Sequence, residues 1–74
     1  MEYYKDLDND SSISGYDIGP DSITIYFKSG GAYLYTYQSA GSSNIEQMKR
    51  LAQSGEGLNS YIMKFVKNNY ARKL

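Results

Sequence analysis

Apolar and polar residues alternate over Ser22–Lys28, with Ile23, Ile25 and Phe27 on one face and Thr24, Tyr26 and Lys28 on the other. A period of two with β-branched and aromatic residues predicts a strand. The same period recurs over Ala32–Gln38, where Tyr33, Tyr35 and Tyr37 share a face. Ser29-Gly30-Gly31 lies between the two runs, which predicts a β-hairpin. Upstream, Ser12–Gly19 carries Ile13, Tyr16 and Ile18 but has Gly15 in its middle, so it reads as a weaker first strand. Gly19-Pro20-Asp21-Ser22 is a turn, because Pro presets φ and Gly punctuates.

The period changes after Ser39. Ile45, Met48, Leu51 and Ala52 recur at helical spacing. Ser43-Asn44-Ile45-Glu46 matches a capping box at the start of that helix. Glu46 and Arg50 form an i,i+4 pair on its exposed side. Ser54-Gly55-Glu56-Gly57 ends it, with Gly near the C-cap. Leu58, Tyr61, Ile62, Phe65, Val66 and Tyr70 make the apolar stripe of a second helix, with Lys64 and Lys67 opposite and Ala71–Leu74 fraying as a basic tail. Strands followed by helices predict an α+β domain, a three-stranded antiparallel sheet with two C-terminal helices on one face. Residues 12–74 form this one domain. Residues 1–11 are polar and acidic, and read as a loose arm or as an edge that orders only against the rest.

The hairpin register decides what the tyrosines do. A two-residue loop puts Tyr33, Tyr35 and Tyr37 on the side of Thr24, Tyr26 and Lys28. A three-residue loop with a Gly bulge puts them on the core side, since one residue of slip flips every side chain. Gly30 and Gly31 permit either loop. The need for Tyr bodies to fill so small a core favours the bulged one.

Composition narrows the chemistry. The 74 residues include 9 Tyr and no Cys, His or Trp. Disulfides, thiolate or imidazole zinc sites and His- or Cys-based nucleophilic catalysis are therefore absent. Carboxylate pairs such as Asp17/Asp21 have nothing to place them in a pocket, so we expect no enzyme and no cofactor. No apolar run reaches membrane-spanning length and no signal peptide is evident, which predicts a cytoplasmic chain with no membrane partner. Eight basic residues balance eight acidic ones, yet the signs are separated. Residues 1–24 hold six acids against Lys5, a net of −5, and residues 25–74 hold seven bases against two acids, a net of +5.

Three groups of residues could carry binding. Tyr33, Tyr35 and Tyr37 with Lys28 could stack RNA bases, or the tyrosines could fill the space between sheet and helices. Lys64, Lys67, Arg72 and Lys73 could neutralise phosphates, or form a solvated face, and the sequence pI of about 6.1 favours the latter. Asp6–Asp17 echoes an EF-hand loop. Ser11 replaces the turn Gly and Asp17 replaces the bidentate Glu, so a solvated acidic arm is the plainer account.

Ser-Ile-Ser-Gly-Tyr-Asp (12–17), the alternating Ile23, Ile25 and Phe27, the Gly pair, Tyr33-Leu34-Tyr35-Thr36-Tyr37, and Leu51-Ala52-Gln53-Ser54-Gly55-Glu56-Gly57-Leu58-Asn59 with Ile62 follow in that order. Together they resemble the KTSC domain over about residues 12–70. That family occurs at the C-terminus of some lysyl-tRNA synthetases and as stand-alone bacterial proteins. Where this chain has Gln38-Ser39-Ala40-Gly41, the family runs through a Val-Pro-like turn. The resemblance implies a small α+β fold and, through the family's company with tRNA synthetases, RNA as a partner; the tyrosine row near basic residues makes Tyr33, Tyr35, Tyr37, Lys28, Lys64 and Lys67 the residues to hold it in a non-catalytic binding module. The rival expectation is an interaction domain for another protein or for itself, through unpaired strand edges.

Overall fold

The computed structural model describes residues 1–7 and 11–74. The α+β class holds, with helices against an antiparallel sheet. The sheet has five strands rather than three, in the order β1 (Glu2–Tyr3), β2 (Ile13–Ile18), β3 (Ser22–Phe27), β4 (Ala32–Thr36), β5 (Arg72–Lys73). Every neighbouring pair is antiparallel. The helices are α1 (Tyr37–Ala40), α2 (Ser42–Ser54) and α3 (Leu58–Tyr61), and α3 continues into a π-helical turn (Ile62–Val66).

The two additional strands are two residues long and lie at the sheet's margins. Glu2 and Tyr3 pair with Tyr16 and Gly15. Tyr4, next in line, is buried, and its hydroxyl accepts from the Leu58 amide at 3.2 Å, at the start of α3. The start of the chain is thus an edge ordered against the body. At the other end Arg72 and Lys73 pair with Leu34 and Tyr33, so the basic tail does not fray. Both additions satisfy backbone groups that β2 and β4 would otherwise leave unpaired.

The hairpin between β3 and β4 is the three-residue form. The Phe27 amide donates to the Gly31 carbonyl at 2.8 Å and the Gly30 amide to the Phe27 carbonyl at 2.9 Å. Gly30 takes φ 104°, a conformation that costs a residue with a Cβ. Ile25 therefore lies opposite Tyr33, and Ile23 opposite Tyr35, on the face the helices cover. A second irregularity serves the same face. A bulge between Ile13 and Gly15 shifts the register of β2, so that Ile13 and Tyr16 both point into the core.

The core is Tyr4, Ile13, Tyr16, Ile23, Ile25, Tyr35, Ile45, Met48, Ala52, Leu58, Ile62 and Val66. α2 turns Ile45, Met48 and Ala52 inward, as its spacing predicts. Its N-terminus differs from expectation. The N-cap is Gly41, with no side-chain cap, and the capping box lies one element earlier, where Thr36 and Ser39 exchange bonds at 3.0 and 3.1 Å. Glu46 is drawn away by Tyr37 and Lys49, and Arg50 bonds Gln47 rather than Glu46. Gly55 closes α2 in the left-handed region, as expected.

The C-terminal helix also departs from its stripe. Leu58, Ile62 and Val66 are buried, but Phe65 is 58% exposed and rests on Tyr61. The helix ends at Val66, where Lys67 turns sharply with φ 27°, so Tyr70 belongs to the returning segment.

Gly55 (φ 85°) also lies where an added Cβ would come within 2.7 Å of the Lys5 Cβ. Gly55→Ala should therefore reduce the unfolding free energy by at least the roughly 1–2 kcal/mol of the left-handed conformation alone, read as a lower urea midpoint at unchanged slope.

Candidate binding surface

The tyrosines divide among three roles. Tyr35, on β4, is 1% exposed, and its hydroxyl donates to the Lys67 carbonyl at 2.9 Å. It is a core residue with a polar tip, so it offers no face to a base. Tyr37 leaves the strand altogether, because the Thr36–Ser39 capping box starts α1 at that residue. Its hydroxyl donates to Glu46 Oε2 at 2.6 Å, and Lys49 Nζ lies 5.8 Å from its ring centre. The expected three-tyrosine row therefore does not form. The core demand of a short chain claimed Tyr35, and local capping redirected Tyr37.

Tyr33 keeps part of its surface. Its ring lies 4.7 Å from Tyr70 and 5.4 Å from Phe27, centre to centre. Lys73 Nζ sits 5.8 Å from the Tyr33 ring and 6.0 Å from that of Tyr70, within cation–π range. Tyr70 also meets Tyr35 edge-on at 6.1 Å. Tyr70 and Lys73 join this cluster only because β5 folds back on β4. The helical stripe assigned Tyr70 elsewhere, and only the sheet pairing reveals it.

The expected cations are also separated. Lys28, the first residue of the hairpin turn, binds Asp6 at 3.2 Å. Lys64 and Lys67 are exposed near the end of the C-terminal helix. Among the described residues no carboxylate lies within ion-pair distance of Lys64, Lys67, Arg72 or Lys73. Residues 57–74 contain no Asp or Glu at all. Alternation on β5 sends Lys73 to the helix side, with Tyr33, and Arg72 to the opposite side, with Leu34. The geometry thus unites Tyr33, Tyr70 and Lys73, with Tyr35 beneath them tying in the backbone of Lys67, and leaves Lys28 and Tyr37 apart.

Asp6 and Asp17, the first and last positions of the EF-hand echo, hold other partners. Asp17 sits in β2, where its carboxylate accepts from the Tyr26 hydroxyl at 2.5 Å and pairs with the Met1 amine at 3.1 Å. Asp6 serves Lys28 and the Ser11 amide. Asp8, Asn9 and Asp10 lie outside the described residues. Among those described, no cluster of three or more metal-binding side chains occurs. No helix among them is long and apolar enough to cross a membrane.

These contacts set a pH dependence. The Tyr26 hydrogen bond, then the one from the Met1 amine, hold Asp17 below its ordinary 3.8, and the bonds from Tyr37 and then Lys49 hold Glu46 below 4.5. Groups with depressed folded pKa values stabilise above their unfolded values and lose that contribution as pH falls through the folded ones. Burial pushes the Tyr35 phenol up to about 12, and its neutral form is favoured by folding up to that range. The urea midpoint should hence decline below the ordinary carboxylate values, and Tyr26→Phe should flatten part of that acid limb. A tyrosinate absorbance step near 12 should vanish in Tyr35→Phe.

Comparison with protein-family models, with curated proteins and with solved structures finds no match to this chain.

Proposed function

We propose that the chain is a non-catalytic binding module that holds single-stranded RNA at its cationic end. One observation carries the reading: an acid-free segment presents Lys64, Lys67 and Lys73 without ion-pair partners among the described residues, and Lys73 lies beside the Tyr33–Tyr70 pair. Phosphates can displace counterions from these lysines, and the half-exposed rings offer edges to unpaired bases. The cations dominate, because Tyr33 and Tyr70 already use much of their surface on each other and on Lys73. The resemblance to the KTSC domain and the bacterial, cytoplasmic setting it implies belong to the same proposal. A second reading, docking of another protein, rests on exposed Phe65 and Met63 beside Lys64.

Titration with a tRNA pool and with single-stranded RNA, from low to moderate salt, tests the first reading. Three phosphate contacts imply a slope of log affinity on log salt of about −2, and Lys64→Glu or Lys67→Glu should each reduce its magnitude by about 0.7. Absence of binding at low salt would refute it.

A further inference from the structure

The helices cover one face of the sheet, and the strand registers define what stands on the other. One row across it reads Tyr3, Gly15, Tyr26, Ala32 on β1 to β4, and Leu74 extends it by donating its amide to Ala32 at 2.8 Å. The next row reads Asp17, Thr24, Leu34, Arg72 on β2 to β5. A third holds Ser22 and Thr36. Three of the seven large exposed apolar side chains among the described residues sit here: Tyr3 (79% exposed), Leu74 (59%) and Met1, whose thioether lies over Gly15.

These rows are complementary to themselves. A twofold axis parallel to the strands, passing between β3 and β4, sets β2 over β5 and β3 over β4 of a second copy. Asp17 then faces Arg72 of that copy, and Arg72 faces its Asp17. Tyr26 comes over Ala32, a large side chain over a small one. Thr24 meets Leu34, Ser22 meets Thr36, and the Met1 side chain over Gly15 meets Leu74. Opposite charges meet at Asp17 and Arg72, beside the Met1 amine already on Asp17, and within the four overlapping strands each bulky residue finds a small or apolar partner, while Tyr3 on β1 lies outside the overlap. Asp17 has room for the contact, because nearly half of its side chain remains exposed and a carboxylate accepts several hydrogen bonds. Arg72 has no acid partner among the described residues.

We propose that this open face is a homodimer interface, in which two copies pack sheet to sheet as an aligned sandwich about that axis. Edge-to-edge pairing is the poorer route, since both edge strands are only two residues long. Strands β2 to β5, of 6, 6, 5 and 2 residues, about 4.8 Å apart and at about 3.3 Å per residue, project a face of roughly 300 Å². That is below the roughly 800 Å² per partner of a standard interface, so the dimer should be weak and concentration-dependent. The surface does not include Lys64, Lys67 or Lys73, and the inference does not rest on RNA binding.

Sedimentation equilibrium on the full chain, from about 10 μM to about 1 mM, tests it across the range of weak association. A monomer–dimer equilibrium is expected. Asp17→Arg alone and Arg72→Asp alone should each weaken dimerisation by about tenfold or more, because like charges then face each other. An equimolar mixture of the two variants should recover a heterodimer, since each charge meets its opposite. Circular dichroism and urea unfolding check that both variants fold. If Asp17→Arg does not, Leu34→Glu, which sets a carboxylate against Thr24 and beside Asp17 of the other copy, should abolish the dimer in its place. A strict monomer at about 1 mM, or a dimer indifferent to Arg72→Asp, would overturn the proposal in favour of another occupant or another face.

Discussion

The turn at Lys28-Ser29-Gly30 sets the register on which the rest of the molecule depends. With Gly30 at φ 104° the loop holds three residues, and Tyr33 and Tyr35 join Ile23 and Ile25 beneath the helices. One residue fewer would turn Leu34 inward and send both tyrosines to the open face. The core, the Tyr33–Tyr70 cluster and the composition of the open face all follow from that choice. The bulge at Ser14 is its counterpart on β2, bringing Ile13 and Tyr16 onto the same side.

The tyrosine excess answers a problem of size. A chain of 74 residues without Cys, His or Trp has little else that is both bulky and able to finish in a polar group. Five of the nine use their hydroxyls within the fold: Tyr4 on the Leu58 amide, Tyr26 on Asp17, Tyr35 on the Lys67 carbonyl, Tyr37 on Glu46 and Tyr61 on Asn44. Each ring adds apolar volume while its hydroxyl ties two elements together. The bond from Tyr35 matters most for the surface, because it holds the backbone at Lys67, where the chain turns back toward β5. Tyr70 and Lys73 reach Tyr33 through that return.

The charge separation also acquires a physical form. The excess of cations in the last two-thirds of the sequence splits on β5, where neighbouring residues point to opposite sides. Lys73 joins the aromatic cluster on the helix side. Arg72 joins Leu34 and Thr24 on the open face, with Asp17 at the far end of the same row. One strand thus contributes to two distinct surfaces.

Local patterning determined the central strands and α2. The alternation through Ile23–Phe27 and Tyr33–Tyr35, and the spacing of Ile45, Met48 and Ala52, are short-range signals that act before any long-range contact forms. The α+β class and the Gly55 terminus were legible for the same reason. Only the tertiary structure decided the rest. Glu2–Tyr3 and Arg72–Lys73 carry no strand signal of their own and pair because β2 and β4 have backbone groups to satisfy. Phe65 fits a helical stripe by spacing, yet the helix turns at Lys67 and leaves it in solvent. Tyr37 continues an alternating run, yet Thr36 and Ser39 cap a helix at that point. In each case the deciding partner is a terminus or a competing local bond, and periodicity encodes neither.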